Sequence, residues 1–208
     1  MGNQKEIMQD SLKAELRAYF REYAAIQNSV DLHDELFKMT LNESGQKAWN
    51  RAPLFFSISF DALSDSFSIS LAKLFDKDKS AKSIWNLIQR CKNESHLFPD
   101  AKKVKQGLGE LEKELEQNCL VDNALCVLQN RRDKLYAHND KKFFIKPEKV
   151  LEKPLHTYQI WELLRWIKRV LMFLTGELSV DISDFEMYSE HPDLENLLSN
   201  CYYFRGKS

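Results

Sequence analysis

The stretch TYQIWELLRWIKRVLMFLTG, residues 157–176, carries the clearest folding signal in the chain. Its apolar side chains recur at steps of three and four residues, the spacing that places them on one face of an α-helix. These positions are Ile160, Leu163, Leu164, Ile167, Val170, Leu171 and Leu174. The pattern predicts a core helix that Gly176 stops, because glycine is frequent just past a helix C-terminus.

The same spacing recurs along the chain before this stretch. A first helix begins near Met8, and VDLHDELFKMTL, residues 30–41, extends it. Another helix opens at Ser80, a good N-cap residue. A further helix covers residues 100–118, with Gly107 and Gly109 as its weak points.

The segment after Pro53 permits two interpretations. FSISF and SFSISL alternate with the period of a strand. A helical stripe also runs through the segment, at Phe56, Phe60, Leu63, Phe67, Leu71 and Leu74. The helical spacing persists to Phe75, further than strands usually run, and therefore favours a helix.

Together these segments predict an all-α protein built as an antiparallel helical bundle. With 208 residues, 43% of them hydrophobic, a single domain over residues 1–208 is expected. KKFFIKPEKVLEKP, residues 141–154, is predicted to be an irregular or strand-like connection, and a short helix is expected after Pro192.

Composition indicates location and partners. The first 30 residues carry charges throughout, and no uncharged apolar run approaches the roughly 20 residues of a spanning helix. A cytoplasmic protein without a membrane span is therefore expected. The four cysteines form no C-x-x-C pair and are expected to be reduced and mostly buried. A net charge of -1 gives no general attraction to nucleic acid, so a polyanion would need a local basic patch.

The segment NRRDKLYAHND, residues 130–140, concentrates charge near the end of a helix predicted from about Asp122 to Ala137. The apolar stripe of that helix is formed by Val121, Leu125, Leu128 and Leu135. Arg132 occupies the stripe position between the last two. A buried guanidinium is costly without a partner, so Arg132 is expected to meet an acid, line a wet groove or bind an anionic ligand.

The same residues also fit an ordinary helix end, where Arg, Lys and His complement the negative end of the helix dipole. Spacing alone is weak evidence, since Arg90 and His96 in RCKNESH repeat the interval between Arg132 and His138. The two segments differ at the next position, where Cys91 stands in one and an aspartate in the other.

RRDKLYAHND resembles the R-polar-x-x-x-x-H signature of the HEPN superfamily, whose members are compact helical bundles. SLAKLFDKDKSAKSIWNLI, residues 70–88, is similar to the region that the abortive-infection U-type branch of this superfamily places before the signature. The two segments agree in order and spacing. The resemblance implies a HEPN-like bundle with additional peripheral helices.

The resemblance also implies metal-independent RNA cleavage. Arg132 and His138 match the signature pair, and Asp133 matches the polar position that helps to orient them. Histidine can transfer a proton near neutral pH, and arginine offers a charged fork to the phosphorane formed when the RNA's own 2′-hydroxyl attacks. No metal or cofactor is expected.

The surroundings of the signature are basic. Between residues 131 and 153, eight basic residues stand against four acids, a local excess of +4. RNA contacts are expected from Arg131, Lys134, Asn139, Lys141 and Lys142. An ordinary solvated connection accounts equally well for these charges.

Other sites are not supported. His33, beside Asp34 and Glu35, fits a surface histidine among carboxylates better than a metal ligand. The four tryptophans lie in or beside helical stripes and are expected to be core residues rather than base-stacking platforms. They are Trp49, Trp85, Trp161 and Trp166.

Two functional hypotheses follow. The first is an endoribonuclease of a bacterial antiphage, abortive-infection or toxin-type system. It would be a homodimer, as HEPN relatives commonly are, with an interface that includes the helix from Asp122 to Ala137 and with both His138 side chains in one cleft. The second is a noncatalytic helical module that binds RNA, nucleotide or a protein partner.

The existence of a neutralising protein partner is open. In HEPN toxins that a nucleotidyltransferase silences, a tyrosine commonly follows the histidine by two residues and becomes modified. Asp140 stands at that position here, so this mode of control is not expected.

Overall fold

The computed structural model describes residues 2–137 and 153–183. Every regular element within these ranges is helical and none is a strand, so the predicted all-α class is confirmed. Residues 141–152 of the predicted connection at 141–154, the helix predicted after Pro192, and Cys201 lie outside the described residues.

Seven α-helices occur in the described part of the chain. They are α1 (Gly2–Thr40), α2 (Glu43–Trp49), α3 (Pro53–Leu74), α4 (Ile84–Asn93), α5 (Ala101–Glu116), α6 (Cys119–Arg131) and α7 (Thr157–Glu177). A 3₁₀ turn, Ser95–Leu97, lies between α4 and α5, and a π-helical turn, Arg132–Ala137, follows α6. The helical interpretation of the segment after Pro53 is confirmed.

The start of α4 differs from the prediction. Ser83, not Ser80, is its N-cap, and the Ser83 side chain accepts a hydrogen bond from the backbone N–H of Asn86 at 3.4 Å. Ser80 instead donates from both its backbone N–H and its hydroxyl to Asp78 Oδ1, each at 2.8 Å. Aspartate forms such turns readily, and here the turn delays the helix.

The end of α7 also differs. The helix continues through Gly176 to Glu177, and the residue with a positive φ, 49°, is Ser179. The backbone N–H of Val180 bonds to the carbonyl of Thr175 at 2.9 Å and closes the helix end. Glycine was therefore not needed to stop this helix.

Contacts divide the described chain into two units. The first contains residues 2–24, 68–137 and 153–183, and the second contains residues 25–67. A single domain over residues 1–208 stays a prediction.

In the first unit, α5 packs against α4, α6 and α7. All seven positions predicted to be apolar and core-facing on α7 are buried. The indole N–H of Trp166 on α7 donates to the carbonyl of Leu111 on α5 at 2.8 Å. Gly107 permits the close approach of these helices, because a Cβ there would lie 2.5 Å from Phe173 Cζ. It is a packing position rather than a weak point.

In the second unit, the core consists of Leu36, Met39, Ala48 and Phe56, with Trp49, Phe60 and Leu63 packed against it. His33 stacks on the ring of Phe60, with a centroid distance of 3.9 Å, and meets Phe67 edge-on at 5.3 Å. Burial lowers the pKa of His33. His33 is half-buried, and its ring is part of this aromatic packing.

Helix α3 is long and apolar enough to cross a membrane by length and composition, and it is the one helix in the described residues of which this holds. Leu54, Phe55 and Ile58 near its start are exposed. Core helices of soluble proteins pass the same test, so this is weak evidence for a span. The absence of a membrane span stays a prediction.

The cysteines are less buried than predicted. Cys91 is fully buried, and burial raises the pKa of its thiol to about 12. Cys119 and Cys126 are exposed. The buried face of α6 passes through Val121, Ala124 and Leu128, and Cys126 points away from it.

Candidate functional site

The candidate site lies where α6 passes into the π-helical turn. The predicted stripe is confirmed at Val121 and Leu128, which are buried, whereas Leu125 is half-buried. Arg132 is the first residue of the π-helical turn and continues from this face. The signature segment is therefore anchored by the core of the first unit.

The π-helical turn changes the expected geometry. A π-helix closes i→i+5 hydrogen bonds, and such turns are frequent at functional sites. The 3.6-residue period of α6 therefore does not continue through residues 132–137.

Arg132 is held by two carboxylates of its own chain. Its Nη1 lies 2.5 Å from Asp76 Oδ2, and its Nε lies 2.7 Å from Asp133 Oδ1. Of the three expectations for Arg132, the first is realised, because it meets an acid. The contact with Asp133 also agrees with the orienting position that the signature assigns to this residue.

The site is partly shielded from solvent. The side chains of Arg132 and Asp76 retain 23% and 27% of their exposure, whereas Asp133 retains 50%. The hydrogen bond that Arg132 donates to Asp133 is the largest cause that raises the pKa of Arg132, so the guanidinium stays charged. Two of the five N–H donors of the arginine serve these bonds.

Asp76 is a site residue that the sequence did not single out. It follows the end of α3, 56 residues before Arg132. Its Oδ1 accepts the backbone N–H of Asp78 at 3.0 Å, while its Oδ2 holds Arg132. Asp76 therefore joins the arginine to the loop of residues 76–83. It lies inside the segment SLAKLFDKDKSAKS, residues 70–83, but no local pattern in that segment distinguishes it from Asp78.

Arg131 has different contacts. Its Nη2 donates to the carbonyl of Lys153 at 3.3 Å, and its buried Nε has no partner among the described residues. Lys134 is half-buried. The structure thus places Arg131, Arg132, Asp133 and Lys134 in one segment, with Arg132 alone paired to Asp76.

Four predicted site residues lie outside the described residues. They are His138, Asn139, Lys141 and Lys142. Their roles stay predictions, as does the proximity of His138 to Arg132.

The second Arg–His pair with the same spacing is Arg90 and His96, and its arginine also contacts two carboxylates. Arg90 bonds to Glu94 at 3.1 Å and also pairs with Glu15 of α1. His96 is exposed on the 3₁₀ turn. An arginine between two carboxylates is therefore not by itself a mark of catalysis, and Arg90 with His96 provides a matched control.

No group of three or more His, Cys, Asp and Glu side chains suited to a metal ion occurs within residues 2–137 and 153–183. Two of the tryptophans differ in their surroundings. Trp166 is buried as predicted, but Trp85 is half-buried and borders an open groove.

An all-α chain whose arginine signature follows a core helix has the features of a HEPN protein. The chain matches the family model HEPN_AbiU2, described as AbiU2, over residues 9–197. It therefore belongs to the AbiU2 family, and it is a HEPN module of the abortive-infection type. The predicted resemblance is confirmed. No curated protein and no solved structure matches the chain.

Proposed function

We propose that this HEPN module is a metal-independent endoribonuclease of a bacterial abortive-infection or toxin-type system. The observation that carries the proposal is the place of Arg132, which is bonded to Asp76 and Asp133, at the start of the HEPN signature in a chain of the AbiU2 family. A preorganised cation of this kind stabilises charge that develops on a phosphate.

The proposed reaction is transesterification by the substrate. His138 removes the proton from a 2′-hydroxyl, and the resulting oxygen attacks the adjacent phosphorus. The bond from phosphorus to the 5′-oxygen breaks, and that oxygen takes up a proton. Arg132 donates to the nonbridging oxygens as their charge increases. The products are a 2′,3′-cyclic phosphate and a 5′-hydroxyl.

Asp76 and Asp133 are positioning residues in this proposal. Each accepts a hydrogen bond from one N–H of Arg132. Because the guanidinium is planar, these two bonds also fix the direction of its other N–H donors. The contacts also reduce the net charge offered to RNA. Arg131, Lys134, Asn139, Lys141 and Lys142 are proposed to supply the additional contacts to the strand.

The homodimer is also a proposal. Arg132 finds carboxylates within one chain, so its charge alone no longer requires a second chain. The described exposed part of α6 is polar or small, at Cys119, Asp122, Asn123 and Cys126. The dimer therefore rests on what is common among HEPN proteins, and light scattering tests it. A mass of twice 24.5 kDa is expected.

The pairing of Arg132 with two acids also favours a second candidate. A guanidinium already neutralised by carboxylates suits a structural role, and the chain would then be a noncatalytic module that binds RNA, nucleotide or a protein partner. A neutralising protein partner and a cytoplasmic location are compatible with both candidates and are proposed with the first.

The experiment is incubation of the purified protein with total RNA in EDTA. Wild type and His96→Ala should both cleave, whereas His138→Ala should lose cleavage. His96 repeats the spacing of the signature but is exposed on the 3₁₀ turn, which makes it the matched control.

Three outcomes would contradict the proposal. Cleavage that requires added magnesium would indicate metal chemistry. Equal loss in the two histidine variants would remove the signature from the mechanism. RNA binding without cleavage by folded wild-type dimer would favour the noncatalytic module.

A further inference from the structure

A groove of about 560 Å³ lies in the first unit beside the candidate site. The loop of residues 76–83, α4, α5 and α6 all border it. Its size is in the range of small-molecule and nucleotide sites. All of its lining residues are described, and none is part of the HEPN signature.

The walls of the groove differ in charge. Lys77 and Lys79 lie on the wall formed by the loop, whereas Glu116 and Asp122 lie on the wall formed by α5 and α6. Glu112, a further lining residue, is paired with Lys92. A simple anion would meet repulsion from the second wall, so the groove suits a ligand that carries negative charge at one end and hydrogen-bond donors at the other.

An aromatic and aliphatic surface also lines the groove. It is provided by Trp85, Leu115, Val121 and Leu125. The indole N–H of Trp85 donates to the carbonyl of Phe75 at 3.3 Å, and its ring packs beside Trp166 with a centroid distance of 5.6 Å. The indole is therefore fixed in place, and its half-exposed part borders the groove. A fixed aromatic surface is what single-stranded nucleic-acid sites use to stack a base.

The lysine wall is held in shape by hydrogen bonds. Asn86 donates from its side chain to the carbonyls of Asp78 and Ala81, at 2.8 and 2.7 Å. Asp76 accepts from the backbone N–H of Asp78 and holds Arg132 with its other oxygen. The groove and the arginine are therefore linked through one aspartate.

The distance between the groove and Arg132 also fits a single RNA strand. Leu125 lines the groove, and Arg132 follows it by seven residues, about 10 Å along a helix at 1.5 Å per residue. A segment of a single strand a few nucleotides long covers such a length.

We propose that this groove binds one nucleotide of the RNA strand whose neighbouring phosphate lies at Arg132. The base stacks on Trp85, its backbone phosphate meets Lys77 and Lys79, and an exocyclic amino group donates to Glu116 or Asp122. Adenine and cytosine carry such an amino group and uracil does not, so the groove selects against uracil. The proposal rests on the proposed RNA-cleaving function, whose substrate contacts it specifies.

The test is equilibrium binding to the His138→Ala protein, which keeps RNA intact. The probes are single-stranded oligoadenylate, oligocytidylate and oligouridylate of equal length. Oligoadenylate and oligocytidylate should bind more tightly than oligouridylate. Trp85→Leu should weaken their binding by roughly tenfold or more, the order expected for one stacked base.

A second variant guards against misfolding, because Trp85 also packs in the core. Lys77→Gln with Lys79→Gln changes only exposed side chains. It should weaken binding and reduce the slope of log affinity against log salt by about 0.7 for each phosphate that the lysines no longer neutralise. The matched control is Lys102→Gln with Lys105→Gln, an exposed pair on α5 that does not line the groove.

Binding that is equal for all three probes, or equal weakening by the two double-lysine variants, would overturn the proposal, as would no binding of any probe. The cleavage assay is separate. If the oligomers bind through the groove but folded wild type cleaves no RNA, the catalytic function fails and the nucleotide site stands.

Discussion

Removing the charge of Asp76 should destabilise the protein through Arg132. In Asp76→Asn the side-chain oxygen that accepts the backbone N–H of Asp78 can be kept, so the substitution isolates the ion pair. The guanidinium then keeps its contact with Asp133 but loses that with Asp76, in a partly shielded position.

The size of the effect follows from the exposure of the pair. Exposed ion pairs contribute about 0.2–1 kcal/mol, and breaking a fully buried pair costs about 3–5 kcal/mol. Arg132 and Asp76 keep 23% and 27% of their side-chain exposure. After allowance for solvent screening, a loss of about 1–2 kcal/mol is expected, or a fall in Tm of about 2–8 °C for a chain of this length.

The assay is urea unfolding of wild type, Asp76→Asn, Arg132→Gln and the double variant. The two single losses of stability should not add, because both substitutions remove the same pair. Asp133→Asn is the matched control, since Asp133 is half exposed and its substitution should cost less. If Asp76→Asn destabilised the Arg132→Gln variant as much as it destabilised wild type, the assigned ion pair would be refuted. The same would follow if Asp76→Asn did not destabilise wild type at all.

Three further predictions concern other parts of the molecule. Gly109→Ala should stabilise the protein by about 0.5–1 kcal/mol, whereas Gly107→Ala should destabilise it, because only the Cβ added at residue 107 meets Phe173. Thermal unfolding of the two variants checks this, and equal effects would contradict it. The pKa of His33 in the folded state lies below its unfolded value of about 6.5. Its contribution to the free energy of unfolding is therefore complete above that pH and is lost as pH falls towards the folded pKa. His33→Phe should lessen the loss of Tm in this window, and an unchanged profile would count against the packing of the ring on Phe60 and Phe67. Arg132→Lys keeps the charge but not the planar fork, so kcat should fall roughly 100-fold with folding retained, and full activity would exclude bidentate contact.

Local spacing was sufficient to predict most of the helical fold. The seven positions on α7 and the stripe after Pro53 follow from the helical period alone, because an amphipathic helix buries the face that carries its apolar residues. Helix ends were less predictable. Ser80 and Ser83 are equally good caps in sequence, and the choice between them depends on the turn that Asp78 forms.

The candidate site could be predicted only in part. The signature identifies Arg132 and Asp133, but Asp76 reaches Arg132 from the end of another helix. Such a contact depends on tertiary packing, which the local pattern does not contain. The same holds for Trp85, which its stripe position predicts as a core residue although part of its side chain borders a groove. The π-helical turn also had no counterpart in the 3.6-residue pattern.

The end groups of the cleaved RNA test the central claim most directly. A defined RNA oligonucleotide is incubated with the protein in EDTA, beside the same oligonucleotide with a single 2′-deoxy residue at the cleavage position. If Arg132 and His138 direct attack by the substrate's own hydroxyl, the RNA should yield a 2′,3′-cyclic phosphate and a 5′-hydroxyl, and the deoxy substrate should stay intact at that position. A 5′-phosphate product, or cleavage of the deoxy substrate at the same bond, would contradict the account.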